Sequence, residues 1–115
     1  MRNDQTYLEH VLDAIDAIEG YINGAAFDEF TGNRMMVDAV VRELEIIGEA
    51  SSRLSSGLRQ QYPDVPFRDA RDMRNFLIHE YFGVNERVVW DTCHEDLPVL
   101  KQAVLQLLGR EKRQT

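Results

Sequence analysis

The stretch Val37-Asp38-Ala39-Val40-Val41-Arg42-Glu43-Leu44-Glu45-Ile46-Ile47-Gly48-Glu49-Ala50-Ser51 decides the fold. Val37, Val40, Leu44 and Ile47 recur at spacings of three and four, and Ser51 and Leu54 prolong the row. That is the period of an α-helix with one buried face. Ala39, Ile46 and Ala50 widen the apolar face, which marks a central, heavily buried helix. Gly48 lies inside it at a propensity cost of about 1 kcal/mol relative to Ala, and close approach of another helix accounts for it. Ser55-Ser56-Gly57 reads as the end of the segment.

The same period recurs on both sides. Upstream, Leu8, Val11, Ile15, Ile18 and Ile22 predict a helix over about Thr6 to Ile22, with Asp4 or Thr6 as its cap and Asn23-Gly24 as its stop. Glu9, Asp13 and Asp16 form a separate acidic stripe on it, read as a solvated face, with mimicry of a polyanion toward a basic partner as the less favoured alternative. Downstream, Leu58 to Tyr62 predicts a short turn of helix, and Pro63-Asp64-Val65-Pro66 breaks the chain. A third long helix is expected over about Phe67 to Phe82, with Ala70, Met73, Leu77 and Tyr81 on one face and Gly83 at its end. The fourth starts at Asn85 as N-cap and carries Val89, Cys93, Leu97, Leu100, Val104 and Leu108. Pro98 should kink or split it. Residues 110–115 read as a frayed polar tail. No segment alternates with period two, so the expectation is a single all-α domain over residues 1–115, a bundle of four to five helices.

Composition narrows the function classes. The chain has 115 residues, of which 43% are hydrophobic, enough for one packed core. Apolar runs are only a few residues long and the N-terminus has no apolar signal region, so neither a membrane span nor a secretory leader is expected and the cytoplasm is the default. Cys93 is the single cysteine, which excludes an intramolecular disulfide and a cysteine-based zinc site. His79-Glu80 and His94-Glu95 both begin like a zinc-protease motif, but the fifth positions are Gly83 and Pro98, so no metal is expected. The formal net charge is −7, which repels nucleic acid on average. Any nucleic-acid role must rest on a local basic site, and Arg68, Arg71 and Arg74 against Asp69 and Asp72 supply one.

The densest polar group is Arg74-Asn75-Phe76-Leu77-Ile78-His79-Glu80-Tyr81. By spacing alone, Arg, His and Tyr near a helix end are most often a solvated rim. However, Arg74-x4-His79-x-Tyr81 resembles the R-x4-H-x-Y signature of HEPN domains. The wider string Met73 to Val84 is similar to the HepT branch of that family. So are Leu44-Glu45-Ile46-Ile47-Gly48-Glu49-Ala50, Tyr7-Leu8-Glu9-His10, Val89-Trp90 and Glu95-Asp96-Leu97-Pro98. Phe76 departs from the pattern, since relatives frequently carry a third polar residue there.

The resemblance implies a homodimeric HEPN-type bundle acting as a metal-independent endoribonuclease toxin of a toxin–antitoxin pair. It needs no cofactor, its substrate is RNA rather than DNA, and its antitoxin is a minimal nucleotidyltransferase. In related systems the antitoxin attaches AMP to the motif tyrosine, here Tyr81. The chemistry suits the side chains. RNA carries its own nucleophile, the 2′-hydroxyl; a His near neutral pKa moves a proton; an Arg holds phosphate oxygens with two prongs. His79 is thus the expected acid/base and Arg74 the phosphate-binding residue. Asn75 supplies a hydrogen bond, and Tyr81, with a phenol pKa ordinarily near 10, is a positioning and regulatory residue. The alternative is a non-catalytic HEPN module that presents substrate or nucleotide to the transferase.

The helix period raises one difficulty. At about 100° per residue, Arg74 and His79 stand roughly 140° apart around a regular helix, while Arg74 lies within about 20° of Tyr81. Either the helix loosens before Gly83, or two chains pack these helices so that Arg74 of one faces His79 of the other. The family's dimerisation favours the second, and two copies of Arg68, Arg71 and Arg74 then line one basic groove. Elsewhere, His10 reads as solvated, Cys93 as core, His94-Glu95-Asp96 as the rim of a kink, and Trp90 as either core or partner surface.

Overall fold

The computed structural model describes residues 2–65, 67 and 85–109. Every regular element among them is helical: α1 (Arg2–Ile22), α2 (Phe27–Thr31), α3 (Arg34–Ser52), α4 (Ser56–Gln61), α5 (Glu86–Asp91), a π-helical turn (Thr92–Asp96) and α6 (Leu97–Leu107). The all-α bundle expected from the periodicity is what forms. Of the helix expected over Phe67 to Phe82, only Phe67 is among the described residues, and the tail 110–115 lies outside them.

The apolar stripes become one core. Val11, Ile15 and Ile18 of α1 and Val40, Leu44 and Ile47 of α3 are each nearly or fully buried in a single cluster, and α1 packs mainly along α3. Each such aliphatic side chain contributes about 1.5–3 kcal/mol by leaving water. Val89, Cys93, Leu97, Leu100 and Val104 bring α5, the π turn and α6 onto the same cluster. Ser51 fills the gap in the α3 stripe as expected, at 1% exposure, and its Oγ has no hydrogen-bond partner among the described residues. Leu54 is buried too, but just past the end of the helix.

Local chemistry explains the ends. Gly24 takes φ +78°, the left-handed conformation that stops α1 where Asn23-Gly24 indicated. The Asn33 side chain accepts from the Met36 N–H to start α3. The Asn85 carboxamide accepts from the N–H groups of Arg87 and Val88 to start α5. Two sequence-based expectations change. Ser55-Ser56-Gly57 does not end α3, which stops at Ser52; it starts α4, with Ser55 Oγ accepting from the Leu58 N–H at 3.1 Å. Asp4 does not cap α1, which begins earlier, at Arg2. Its buried carboxylate instead accepts from Ser55 N–H at 2.8 Å and Ser55 Oγ at 2.6 Å. One acid thus orients the capping hydroxyl of a helix 51 positions away and sits at that helix's positive end.

At Pro98 the regular α-helix is interrupted: a π-helical turn separates α5 from α6. Pro98 stands in the first turn of α6, directly after the π turn, where the Leu97 N–H reaches the Thr92 carbonyl. In a regular helix the Pro98 ring would press on the His94 carbonyl. Widening the preceding turn by one residue relieves that clash. The same turn keeps the stripe aligned: each four-residue step from Val89 to Cys93 to Leu97 would drift about 40° on a regular helix, and a wider turn absorbs the drift.

The Asp4–Ser55 tie is testable in a double-mutant cycle. Asp4→Ala should cost about 2 kcal/mol in urea unfolding. Once Ser55 is already Ala, the same change should cost at least about 1 kcal/mol less. Additive losses would show that the two side chains do not act together.

Candidate functional site

The sequence points to six residues for RNA chemistry: Arg68, Arg71, Arg74, Asn75, His79 and Tyr81. All six fall within 68–84, outside the described residues. The two ends of that segment are described. On one side Phe67 is 2% exposed and donates its N–H to the Val65 carbonyl at 2.8 Å. On the other, Asn85 caps α5. The motif is therefore carried between one residue sunk in the core and one that starts the next helix.

The remaining candidates sort themselves by contact. Cys93 is core, and burial pushes its thiol up to about 12. His94 lies exposed on the π turn; its ring stacks on Trp90 at 4.2 Å between centroids, with Nδ1 2.8 Å from the Trp90 carbonyl. Trp90 is half-buried and packs on Phe30 at 5.1 Å and edge-on to Phe27 at 5.7 Å, so it joins α5 to α2. The Arg87 guanidinium covers the Phe27 ring at 4.5 Å. The acidic stripe of α1 is partly engaged. Lys101 of α6 reaches Asp16 at 3.2 Å and Glu19 at 2.9 Å, and the Glu19 hydrogen bond raises its pKa above the ordinary lysine value.

Sequence reasoning missed one assembly. Tyr7 and His10 of α1, Arg42, Glu45 and Glu49 of α3, and Arg53, which caps α3 at its C-terminal end, line a groove of about 440 Å³ over Ile46 and Ala50. Tyr7 and His10 meet edge to face, 5.9 Å between ring centroids and 83° between planes. Arg53 Nε donates to Glu49 at 2.8 Å, and this contact, with a smaller contribution from Tyr7, raises its pKa above the ordinary arginine value. Arg42 pairs with Glu45 at 3.7 Å. The signal is present in the sequence as two separate blocks, Tyr7-Leu8-Glu9-His10 and Leu44 to Ala50, and the antiparallel packing of α1 on α3 makes them one surface.

Among the described residues, no three His, Cys, Asp or Glu side chains are placed to hold a metal ion. No helix among them is long and apolar enough to cross a membrane.

A helical bundle whose sequence carries an arginine–histidine–tyrosine motif between Phe67 and Asn85 defines a HEPN-type class of protein. Within it, the chain belongs to the HepT-like ribonuclease family, which it matches over residues 11–107. It is 38% identical to a protein named as a candidate RNase in Caldanaerobacter subterraneus subsp. tengcongensis, over 97% of this chain and 100% of that one. It is 42% identical to a protein named probable ribonuclease HepT in Thermococcus cleftensis, over 87% of this chain and 91% of that one. A third relative, from Methanocaldococcus jannaschii, is named gamma-glutamylcyclotransferase and candidate RNase. It is 38% identical over 94% of this chain, which spans 49% of its length. No solved structure matches the chain.

The burial of Cys93 gives a direct test. A thiol raised to about 12 stays protonated at pH 8, and the thiolate is the reactive form. Iodoacetamide at pH 8 should leave the native protein unmodified and label it fully in urea. The linked stability is present below the unfolded thiol value of 9.0 and declines as pH rises toward 12. Rapid labelling of the native chain would place Cys93 outside the core.

Proposed function

We propose that this chain is a metal-independent endoribonuclease, the toxin of a cytoplasmic toxin–antitoxin pair, active as a homodimer. The observation that carries the reading is the Arg74-x4-His79-x-Tyr81 motif inside the family match over residues 11–107. The His79 imidazole takes the proton from a ribose 2′-hydroxyl, and that oxygen attacks the adjacent phosphorus. The P–O5′ bond breaks as the His79 imidazolium returns that proton to the departing 5′-oxygen, giving a 2′,3′-cyclic phosphate and a 5′-hydroxyl end. Arg74 holds two phosphate oxygens and offsets the charge that builds on them. Asn75 adds a neutral hydrogen bond. All the charge stabilisation comes from side chains, so the reaction needs no cation.

The roughly 140° that a regular helical period would put between Arg74 and His79 favours a site shared across a two-fold axis, with Arg74 of one protomer serving His79 of its partner. Arg68 and Arg71 from both protomers then extend a basic track for the RNA, which answers the net charge of −7. Restraint comes from a minimal nucleotidyltransferase antitoxin. AMP on the Tyr81 phenol places a phosphate beside Arg74, occupies the position of the RNA phosphate and repels incoming strand.

Two experiments test this reading. His79→Ala and Arg74→Ala should each abolish cleavage with the helical circular dichroism intact, EDTA should leave the wild type active, and 2′-deoxyribose at the cut site should block it. Mixing the two inactive variants should restore activity in mixed dimers if the site is shared. Inhibition by EDTA reversed by added metal would overturn the mechanism. The second experiment is intact mass after co-expression with the transferase: AMP-sized additions should appear on the parent chain and vanish in Tyr81→Phe. The same additions on the variant would place the modification elsewhere.

A further inference from the structure

The groove between α1 and α3 holds chemistry that the motif leaves unused. We propose that it is a subsite for single-stranded RNA, in which the Tyr7–His10 ring pair stacks an unpaired base and Arg42 and Arg53 hold neighbouring phosphates. The inference rests on the ribonuclease reading for its choice of ligand.

Its size comes first. A volume near 440 Å³ suits a ligand of nucleotide dimensions. The rings come second. Tyr7 and His10 are three residues apart on one face of α1, and their edge-to-face contact fixes both rings while His10 stays exposed. Tyrosine and histidine are common stacking partners for unpaired bases, and such stacking tolerates any base.

The cations come third. Arg42 and Arg53 are eleven residues apart, three turns of α3, which puts them on nearly the same azimuth about 16 Å apart. Arg53 lies beside Tyr7, and Arg42 marks the far end of the groove. Their side chains are 70% and 57% exposed, and their carboxylate partners Glu45 and Glu49 are themselves partly exposed. Exposed ion pairs of this kind contribute little, so a phosphate can take up the remaining donors of each guanidinium. The charges of Arg42, Glu45, Glu49 and Arg53 cancel, on a protein that is otherwise strongly acidic. An anionic strand therefore meets less repulsion here than over the acidic stripe of α1. The two carboxylates favour a single strand over a duplex, whose phosphate charge is denser.

The test uses the full chain and a short fluorescein-labelled 2′-O-methyl oligouridylate, which cannot be cleaved through its 2′-oxygen. Anisotropy should show binding by the wild type. Arg42→Gln and Arg53→Gln should each weaken it about five- to tenfold and lower the salt slope by about 0.7. His10→Ala should weaken it about tenfold. Arg53→Lys should recover part of the loss, and Arg34→Gln, on α3 but outside the groove, should change nothing. With cleavable RNA, the groove variants should raise KM and leave kcat unchanged.

Wild-type affinity and salt slope retained in the groove variants would overturn the proposal, even with cleavage intact. So would a loss of binding that accompanies a fall in oligomeric mass, because the groove would then be a contact between copies of the chain. Binding that follows the expected pattern without any cleavage of natural RNA would uphold the groove and overturn the ribonuclease reading.

Discussion

The packing of α1 along α3 positions the other described elements. Val11, Ile15 and Ile18 on one helix and Val40, Leu44 and Ile47 on the other share one dry cluster. At roughly 1.5–3 kcal/mol for each buried aliphatic side chain, this contact is large against the few kcal/mol by which a small domain is stable. The two helices run antiparallel because α2 and two short connections return the chain. That places the start of α1 beside the end of α3, where Asp4 reaches Ser55. It also places Tyr7 and His10 beside Glu49 and Arg53, and so creates the groove that Arg42 and Arg53 flank. A fold-determining apolar contact thus sets the geometry of a polar surface on its flank.

The second half of the chain meets this pair through a rod that is not a regular helix. α5, the π turn and α6 run on continuously from Glu86 to Leu107. The extra residue in the turn lets Pro98 remain in the rod and keeps Cys93 and Leu97 on the buried side. It also holds the His94 ring over Trp90, which packs on Phe30 of α2. Lys101 then ties α6 to the acidic face of α1 through Asp16 and Glu19. These exposed pairs add under about 1 kcal/mol each, so the apolar stripe, not the charge, seats the rod.

Charge is distributed unevenly, and the distribution bears on function. The acidic excess lies largely on the described helices, with seven acids in residues 1–30 against Arg2 alone. The segment from Arg68 to Tyr81 brings three arginines and a histidine against three acids. Under the proposed ribonuclease reading, a phosphate-bearing substrate would be repelled by the acidic helices and drawn to the places where arginines concentrate. Such focusing directs an anion to a few places on an acidic protein without making the whole protein basic.

By itself, the sequence determined the helical class, most of the inward-facing residues among those described and some of the stops and caps. These depend on local period and on the backbone chemistry of Gly24, Asn85 and the break that begins at Pro63, all of which act within one or two turns. It also held the Arg74, His79 and Tyr81 motif whole, because those residues lie within eight positions of one another. Only the tertiary structure decided that Ser55 begins a helix and does not end one, since the acid that orients its hydroxyl comes from Asp4, far away in the chain. Only the tertiary structure showed that a π turn precedes Pro98, because widening that turn depends on keeping Cys93 and Leu97 in the same core. The joining of Tyr7 and His10 to Arg42 and Arg53 belongs to the same category: no local pattern encodes which face of one helix will lie against another.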